Sequence, residues 1–440
     1  MKIAIIGAGM GGMAAAYDLA GAGGKVTIYE ADDQIGGLAS GFKEPHWDWW
    51  VEKYYHHWFA TDHHMLNLID ELGWRDRVLF PRPYTVMYYK DKFYPFDSYI
   101  KALLFPGLGW GIKKARFGLV GLCLKLFTSN WQTLEKHTVD AWLRKWAGDK
   151  VYELMWEPLL IGKFGERYAK QVNMAWMWAR LKSRTTRLGT FQGGFQAFAD
   201  QFAEQLRELG VQIHLSTPVR RISPHPNNGL ILETSDGPEQ YDQCMATTSP
   251  ALLARLTPDL PSNYLQDLLA LKSMGAVVMV LALKHRLSEE GYYWFNLPKS
   301  AGYPFLALVE HTNFVSPEHF GGEHIVYIGD YLETGHEYFS LNQEELLERF
   351  IPVLPRFNPK FKPDWVRKTW LFRTDYAQPV PLVNHSHHIP SIKTPIPGLY
   401  FASMSQVYPW DRGMNYAVEI GRKTAGMMME ESDKAKTEEI

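Results

Sequence analysis

What most restricts the fold of this chain is its first thirty residues. Lys2–Ile6 is a short apolar run, Gly7, Gly9 and Gly12 follow in G-x-G-x-x-G spacing, and an Ala-rich helical pattern comes next. Lys25–Tyr29 is a second apolar run, and Glu30 closes it. Each part has a physical task. Gly7 permits the tight turn out of the strand, Gly9 lets backbone approach a pyrophosphate, and Gly12 lets helix and strand pack closely. A helix N-terminus offers free N–H groups and roughly half a positive charge, which favour a phosphate. Glu30 is placed to accept hydrogen bonds from a ribose hydroxyl. Strand, glycines, helix and acidic residue together mark a dinucleotide half-site in a Rossmann-like α/β domain.

With 440 residues the chain is long for one core, so about two domains are expected. Its 46% hydrophobic and 21% charged residues are a globular balance. The formal net charge of −2 leaves no footprint for nucleic acid. Cys123 and Cys244 are the only cysteines, so neither a disulfide framework nor a metal site is expected, and a cytoplasmic setting fits.

After Glu30 the chain continues through Ala31 to Gly36-Gly37-Leu38-Ala39. This E-x(5)-G-G continuation resembles the flavoprotein superfamily of amine oxidases, protoporphyrinogen oxidases, phytoene desaturases and UDP-galactopyranose mutases. The resemblance implies FAD, with Glu30 on the adenosine ribose. Gly7, Gly9, Met10, Gly12, Ala31, Gly36, Gly37, Leu38 and Ala39 would line its diphosphate path. Leu38 stands where the superfamily often has a basic residue.

Two later segments extend the resemblance. In residues 193–222 an amphipathic helix, a strand and a return through Val219 follow in order, and the resemblance puts the Val219 backbone beside adenine. Leu230–Thr234 and residues 240–247 read as further strands, ending at Thr247. Near the C-terminus a buried strand over 399–402 precedes Asp411-Arg412-Gly413-Met414 and a helix over 415–429, with a frayed charged tail beyond. Ala417, Gly421 and Ala425 space small residues for tight helix packing. The resemblance aims this helix start at the flavin, with Asp411, Gly413 and Met414 as cofactor contacts.

The rest is expected to be a substrate domain. Residues 84–96 alternate as a hairpin, and runs between 273 and 374 suggest an antiparallel sheet with one helix over 343–351. In the superfamily a turn like residues 53–58 crosses the flavin ring, which makes His56 and His57 candidate catalytic residues, or else packing residues. Tyr408 and Trp410 are further candidates beside the ring. Arg180, Arg184 and Arg187 follow a Met- and Trp-rich helix; they suit a diphosphate or substrate carboxylate, or form a solvated helix end. Residues 98–134 hold no acidic residue while Lys101, Lys113, Lys114, Arg116 and Lys125 punctuate apolar runs, including one over 102–112. Those runs are shorter than the ~20 residues of a membrane span. They suit a core-packed helix pair, a lid, or a peripheral membrane contact.

The expectation is an α/β protein: a Rossmann-like FAD-binding domain from 1–75, 190–270 and 385–440, and a discontinuous α+β substrate domain from 76–189 and 271–384. The resemblance implies an FAD-dependent oxidoreductase removing hydride from an apolar or ring-containing small molecule. A redox-neutral sugar-nucleotide mutase and a non-catalytic flavin-binding protein are the alternatives. Oligomeric state stays open.

Overall fold

The computed structural model describes residues 1–109 and 111–438. Trp110, inside the apolar run expected over 102–112, and the last two tail residues lie outside the described residues.

The first strand, Lys2–Ile6, lies between Lys25–Tyr29 and Gln243–Ala246, and all three run parallel. Gln212–His214 and Leu399–Phe401 extend the two edges, giving a five-stranded parallel sheet assembled from distant parts of the chain. Its three central strands and the Leu399–Phe401 edge are mostly apolar and buried, whereas the other edge, Gln212–His214, is largely exposed. The helix Phe195–Glu208 covers one face through Phe198, Phe202 and Leu206, all fully buried at helical spacing. A three-stranded meander, Arg221–Pro224, Leu230–Thr234 and Gly237–Tyr241, stands apart from this sheet. The single strand expected over 240–247 is thus two strands of different sheets. Asp242 lies between them, and its carboxylate accepts from the Lys2 N–H at 2.5 Å.

A second sheet has seven strands in the order Val366–Pro379, Ser273–Leu283, His324–Leu332, Ala307–Glu310, Tyr292–Asn296, Tyr84–Tyr89 and Lys92–Pro95. The expected hairpin is its edge. Lys90 and Asp91 both have positive φ, the two-residue turn whose twist suits paired strands. Every pair is antiparallel except Tyr84–Tyr89 with Tyr292–Asn296, which is parallel. The sequence left Tyr292–Asn296 unmarked, because its aromatic residues occupy both faces and no polar alternation appears.

Helices Val139–Ala147, Asp149–Met155, Glu157–Ala169 and Met174–Ser183 form a helical layer around buried Tyr152, Phe164 and Trp176. Thr138 caps the first, accepting from the Ala141 N–H at 3.1 Å. The closing helix runs from Met414 to Glu438, past the expected end at 429. Glu431 explains the extension: it accepts from Lys393 Nζ at 2.5 Å and the Tyr400 hydroxyl at 2.6 Å, tying the extra turns to the parallel sheet.

Candidate functional site

Ile6 ends the first strand and the chain reverses at Gly7, whose φ of +106° favours glycine. A Cβ there would also sit 2.4 Å from Thr247 Oγ1, which is occupied in donating to the Ile6 carbonyl at 2.8 Å. Thr247 is therefore a wall of the turn. Gly12 meets the Gly7 carbonyl so closely that a Cβ would lie 2.1 Å from it. Gly9 is the opposite case: a Cβ would meet nothing within 4 Å. Open space beside Gly9, no capping side chain and no acidic residue in the first turn leave the N-terminus of Met10–Gly21 free for an anion.

Gly36 donates to the Ala8 carbonyl at 2.9 Å, and a Cβ on Gly37 would lie 3.3 Å from Gly9 Cα. The two glycine segments thus form one narrow cradle, flanked by buried Met10 and Ala39. Glu30 ends the second strand with its carboxylate fixed: Oε2 accepts from the Ala8 N–H at 2.7 Å and Oε1 from the Asp32 N–H at 3.0 Å. A carboxylate accepts about four hydrogen bonds, so both oxygens retain capacity for hydroxyl groups. Ala31 is exposed next to it. Thr217 N–H donates to the Glu30 carbonyl at 2.8 Å, which brings the Val219 loop to the same end of the sheet. These open glycines and this carboxylate fit an adenine dinucleotide.

The second helix start lies close by. Met10–Gly21 and Met414–Glu438 pack backbone to backbone: a Cβ on Gly421 would sit 2.2 Å from the Gly11 carbonyl oxygen. A Cβ added to Gly413, just before Met414, would meet nothing within 4 Å. Both N-termini are therefore accessible.

Residues 51–59 cross between the two sheets. Buried Glu52 fastens the crossing, accepting from the Phe195 N–H at 3.1 Å, while the Tyr327 hydroxyl donates to the Glu52 carbonyl at 2.9 Å. Burial pushes its carboxyl up to about 7. His56 and His57 follow. His56 Nδ1 donates to the Tyr54 carbonyl at 2.5 Å, which leaves Nε2 as an acceptor. Burial brings His56 down to about 4 and His57 to about 3, with Arg184 adding to the effect on His57. His57 Nδ1 has no partner among the described residues. His63 and His64 are exposed at a helix start.

A pocket lies between this crossing and the seven-stranded sheet, lined by Leu38 and His56, by Ala276, Val278 and Leu306, and by the polar Tyr55, Asp330, Tyr331 and Arg412. Arg412 also borders a neighbouring pocket lined by Tyr408 and Trp410. Tyr408 donates to Glu135 Oε2 at 3.1 Å, and Trp410 stacks on Tyr416 with 5.7 Å between ring centres. His56 and the Tyr408–Trp410 pair thus border different cavities, joined at Arg412.

Between the cavities lies a charged knot. Asp411 accepts from Arg180 Nη1 at 2.9 Å and Trp176 Nε1 at 3.1 Å, and Lys163 Nζ stands 3.4 Å away. Gln378 Oε1 accepts from Lys163 at 2.7 Å and from Arg412 Nε at 3.1 Å, and Arg412 also donates to the Tyr331 hydroxyl. Desolvation opposes ionisation of Asp411, yet Lys163, Arg180 and Arg412 hold its carboxyl well below the usual range. Burial drives the Lys163 amine well down; Asp411 counters this, while Arg180 and Arg412 reinforce it. Asp411, expected as a cofactor contact, is taken up by these partners. The reason is its position at the end of a loop facing three cationic side chains.

Arg180 belongs to this knot through one nitrogen, while its buried Nε has no partner among the described residues. Arg184 keeps exposed surface, yet enclosing protein, with Arg180 beside it, brings its guanidinium to about 10. Arg187 turns away, exposed and donating to the Phe80 carbonyl at 3.0 Å, so the expected trio is a pair. Arg412, Gln378 and Tyr331 were not singled out by the sequence. Arg412 had a signal in its adjacency to Asp411; Gln378 and Tyr331 sit in strands with none.

The flavin containing amine oxidoreductase family matches residues 10–429. A 15-cis-phytoene desaturase of Capsicum annuum is 41% identical over 78 residues, 18% of this chain and 13% of the desaturase. The match therefore spans about an eighth of that relative's length. In fold the chain resembles a provisionally assigned protoporphyrinogen oxidase from Exiguobacterium sp. 255-15, with TM-score 0.75, 18% identity, and 98% and 99% of the two chains covered. It equally resembles reduced UDP-galactopyranose mutase, with TM-score 0.75, 15% identity, and 97% and 93% covered. The chain belongs to the flavin-containing amine oxidoreductase family, and its cofactor is FAD.

Proposed function

We propose that this FAD-dependent oxidoreductase removes hydride from an apolar or ring-containing small molecule. The carrying observation is the pocket lined by Ala276, Val278 and Leu306 together with His56 and Arg412. Aliphatic and aromatic walls with polar groups placed among them favour a ligand with an apolar body and polar anchoring points. When bound, the flavin supplies the redox chemistry, and the chain supplies position and electrostatics. In this reading the N-terminus of Met10–Gly21 and the Gly36-Gly37 turn hold the diphosphate, Glu30 the ribose and the Val219 loop the adenine. Gly413 and Met414 start the helix nearest the ring. Arg180 and Arg412 favour negative charge developing beside them. Lys163 Nζ belongs to the same knot, where burial, Arg180 and Arg412 lower its basicity and Asp411 raises it. The division into an FAD-binding domain from 1–75, 190–270 and 385–440 and a substrate domain from the rest belongs to the same proposal, as does a cytoplasmic setting for its two free thiols.

The test is anaerobic mixing of the holoprotein with candidate substrates. Bleaching of the flavin by one compound supports the proposal. The guanidinium of Arg184 beside Arg180, without a hydrogen-bond partner among the described residues, favours a second reading, a redox-neutral mutase acting on a sugar nucleotide. Product formed without net flavin reduction would replace the first reading by the second. Neither outcome across a broad screen would leave a flavin-binding protein without catalysis.

A further inference from the structure

The exposed apolar side chains of this protein are gathered on one small region. Of the fourteen large exposed hydrophobic residues among those described, eight lie between Tyr99 and Phe127. Ile112 is 78% exposed, Phe127 76%, Ile100 71% and Leu104 65%, values expected of residues waiting for a partner. They stand on two short helices, Tyr99–Leu104 and Ile112–Leu122, and the turn Cys123–Phe127. Underneath, Phe105, Leu108, Val120 and Leu124 are buried in the helical layer and Ala102 is buried as well, so among the described residues the segment is anchored on one side and unpartnered on the other.

Its charge is one-sided. No acidic residue occurs from 98 to 134, and Lys101, Lys113, Lys114, Arg116 and Lys125 rim the apolar residues. Asp97, just outside this stretch, pairs with Lys101 at 2.8 Å. A second copy meeting this face across a two-fold axis would oppose basic rim to basic rim. An anionic lipid surface complements both features: apolar side chains enter the acyl boundary while lysines and arginine meet the headgroups. Among the described residues no helix is long and apolar enough to cross a membrane, so contact of this kind lies in the plane of the interface.

The face also borders the candidate site. Lys125 Nζ lies over the Tyr99 ring at 4.9 Å and donates to the Arg184 carbonyl at 3.2 Å, and Arg184 stands beside Arg180 of the charged knot. We propose that residues 99–127 dock on an anionic phospholipid bilayer, which places Arg184 near the lipid surface.

The test is flotation of the purified holoprotein with vesicles of phosphatidylcholine containing phosphatidylglycerol, against phosphatidylcholine alone. The protein is expected to float with the anionic vesicles at low salt. Paired Ile112→Glu and Phe127→Glu changes should weaken this at least about tenfold while flavin absorbance and elution volume stay those of the parent. Both side chains point away from the core, so folding is not at stake. Parent protein left in the dense fraction overturns the proposal, and so does undiminished flotation of the double variant. A parent dimer that the two changes convert to monomer, without flotation of either, would assign the face to a second copy and overturn it too.

Discussion

Arg180 Nη1 donates to Asp411 Oδ2 at 2.9 Å, and this contact joins the helix Met174–Ser183 to the loop that opens the closing helix. The two partners are not equivalent. Asp411 is the carboxylate shared by Arg180, Lys163 and Trp176, whereas Arg180 is one of several donors to it. Removing one side of a buried pair costs about 3–5 kcal/mol when a charge is left uncompensated. Asp411→Asn should reach that range, because Arg180 and Arg412 then lose their counter-charge. Arg180→Ala should cost less, about 1–3 kcal/mol, since Lys163 and Arg412 still serve Asp411. Urea unfolding of the holoproteins checks the order, and an equal or inverted ranking would contradict the proposed centre of the knot.

Gly9 and Gly421 separate cofactor binding from folding. At Gly9 the backbone is extended, with φ −77°, and a Cβ meets nothing within 4 Å. Gly9→Ala should leave apoprotein stability within about 0.5 kcal/mol and weaken FAD retention at least tenfold, about 1.4 kcal/mol. Gly421→Ala forces a carbon against the Gly11 carbonyl oxygen. It should cost at least about 1–3 kcal/mol of stability whether or not FAD is present. Equilibrium unfolding with and without added FAD distinguishes the two.

How much of this was legible follows from the same residues. The Gly7–Gly12 turn, the second strand and the small-residue spacing at Gly421 were readable, because close backbone approach admits few residue types, whereas the partner of Gly421, Gly11, was not. The charged knot was not, since Lys163, Arg180, Gln378 and Asp411 come from four distant segments with no spacing rule between them. Asp411 looked like a helix-start polar group and is instead the hub of that knot. Arg187 looked equivalent to Arg180 and Arg184, but its helix has ended by Arg184 and the chain turns it outward. The apolar face was visible only as composition; its exposure needed the packing of Ala102, Val120 and Leu124 beneath it.

His56 and His57 should remain uncharged through the neutral range. Their folded values near 4 and 3 lie below an ordinary histidine, so the stability they contribute is present above about pH 6.5 and lost as pH falls through those values. Anaerobic flavin reduction by a good substrate should therefore show no limb between about pH 5 and 6.5 that His57→Gln abolishes. A limb in that window, missing in the variant, would place a protonated histidine in the site.

Glu52 gives the opposite pH sign. Its folded carboxyl sits at about 7, above the unfolded value, so its stabilising effect is complete below the unfolded pKa and fades as pH rises through 7. A shift of that size corresponds to roughly 3 kcal/mol. Glu52→Gln keeps an acceptor for the Phe195 N–H and cannot ionise. Between about pH 4.5 and 7 the parent should lose stability relative to the variant, most steeply between the two pKa values, and the gap should level off by about pH 8. Urea midpoints of both proteins across that range provide the measurement. A constant difference between them would mean that Glu52 carries an ordinary exposed-carboxylate pKa and does not fasten the crossing segment in its neutral form.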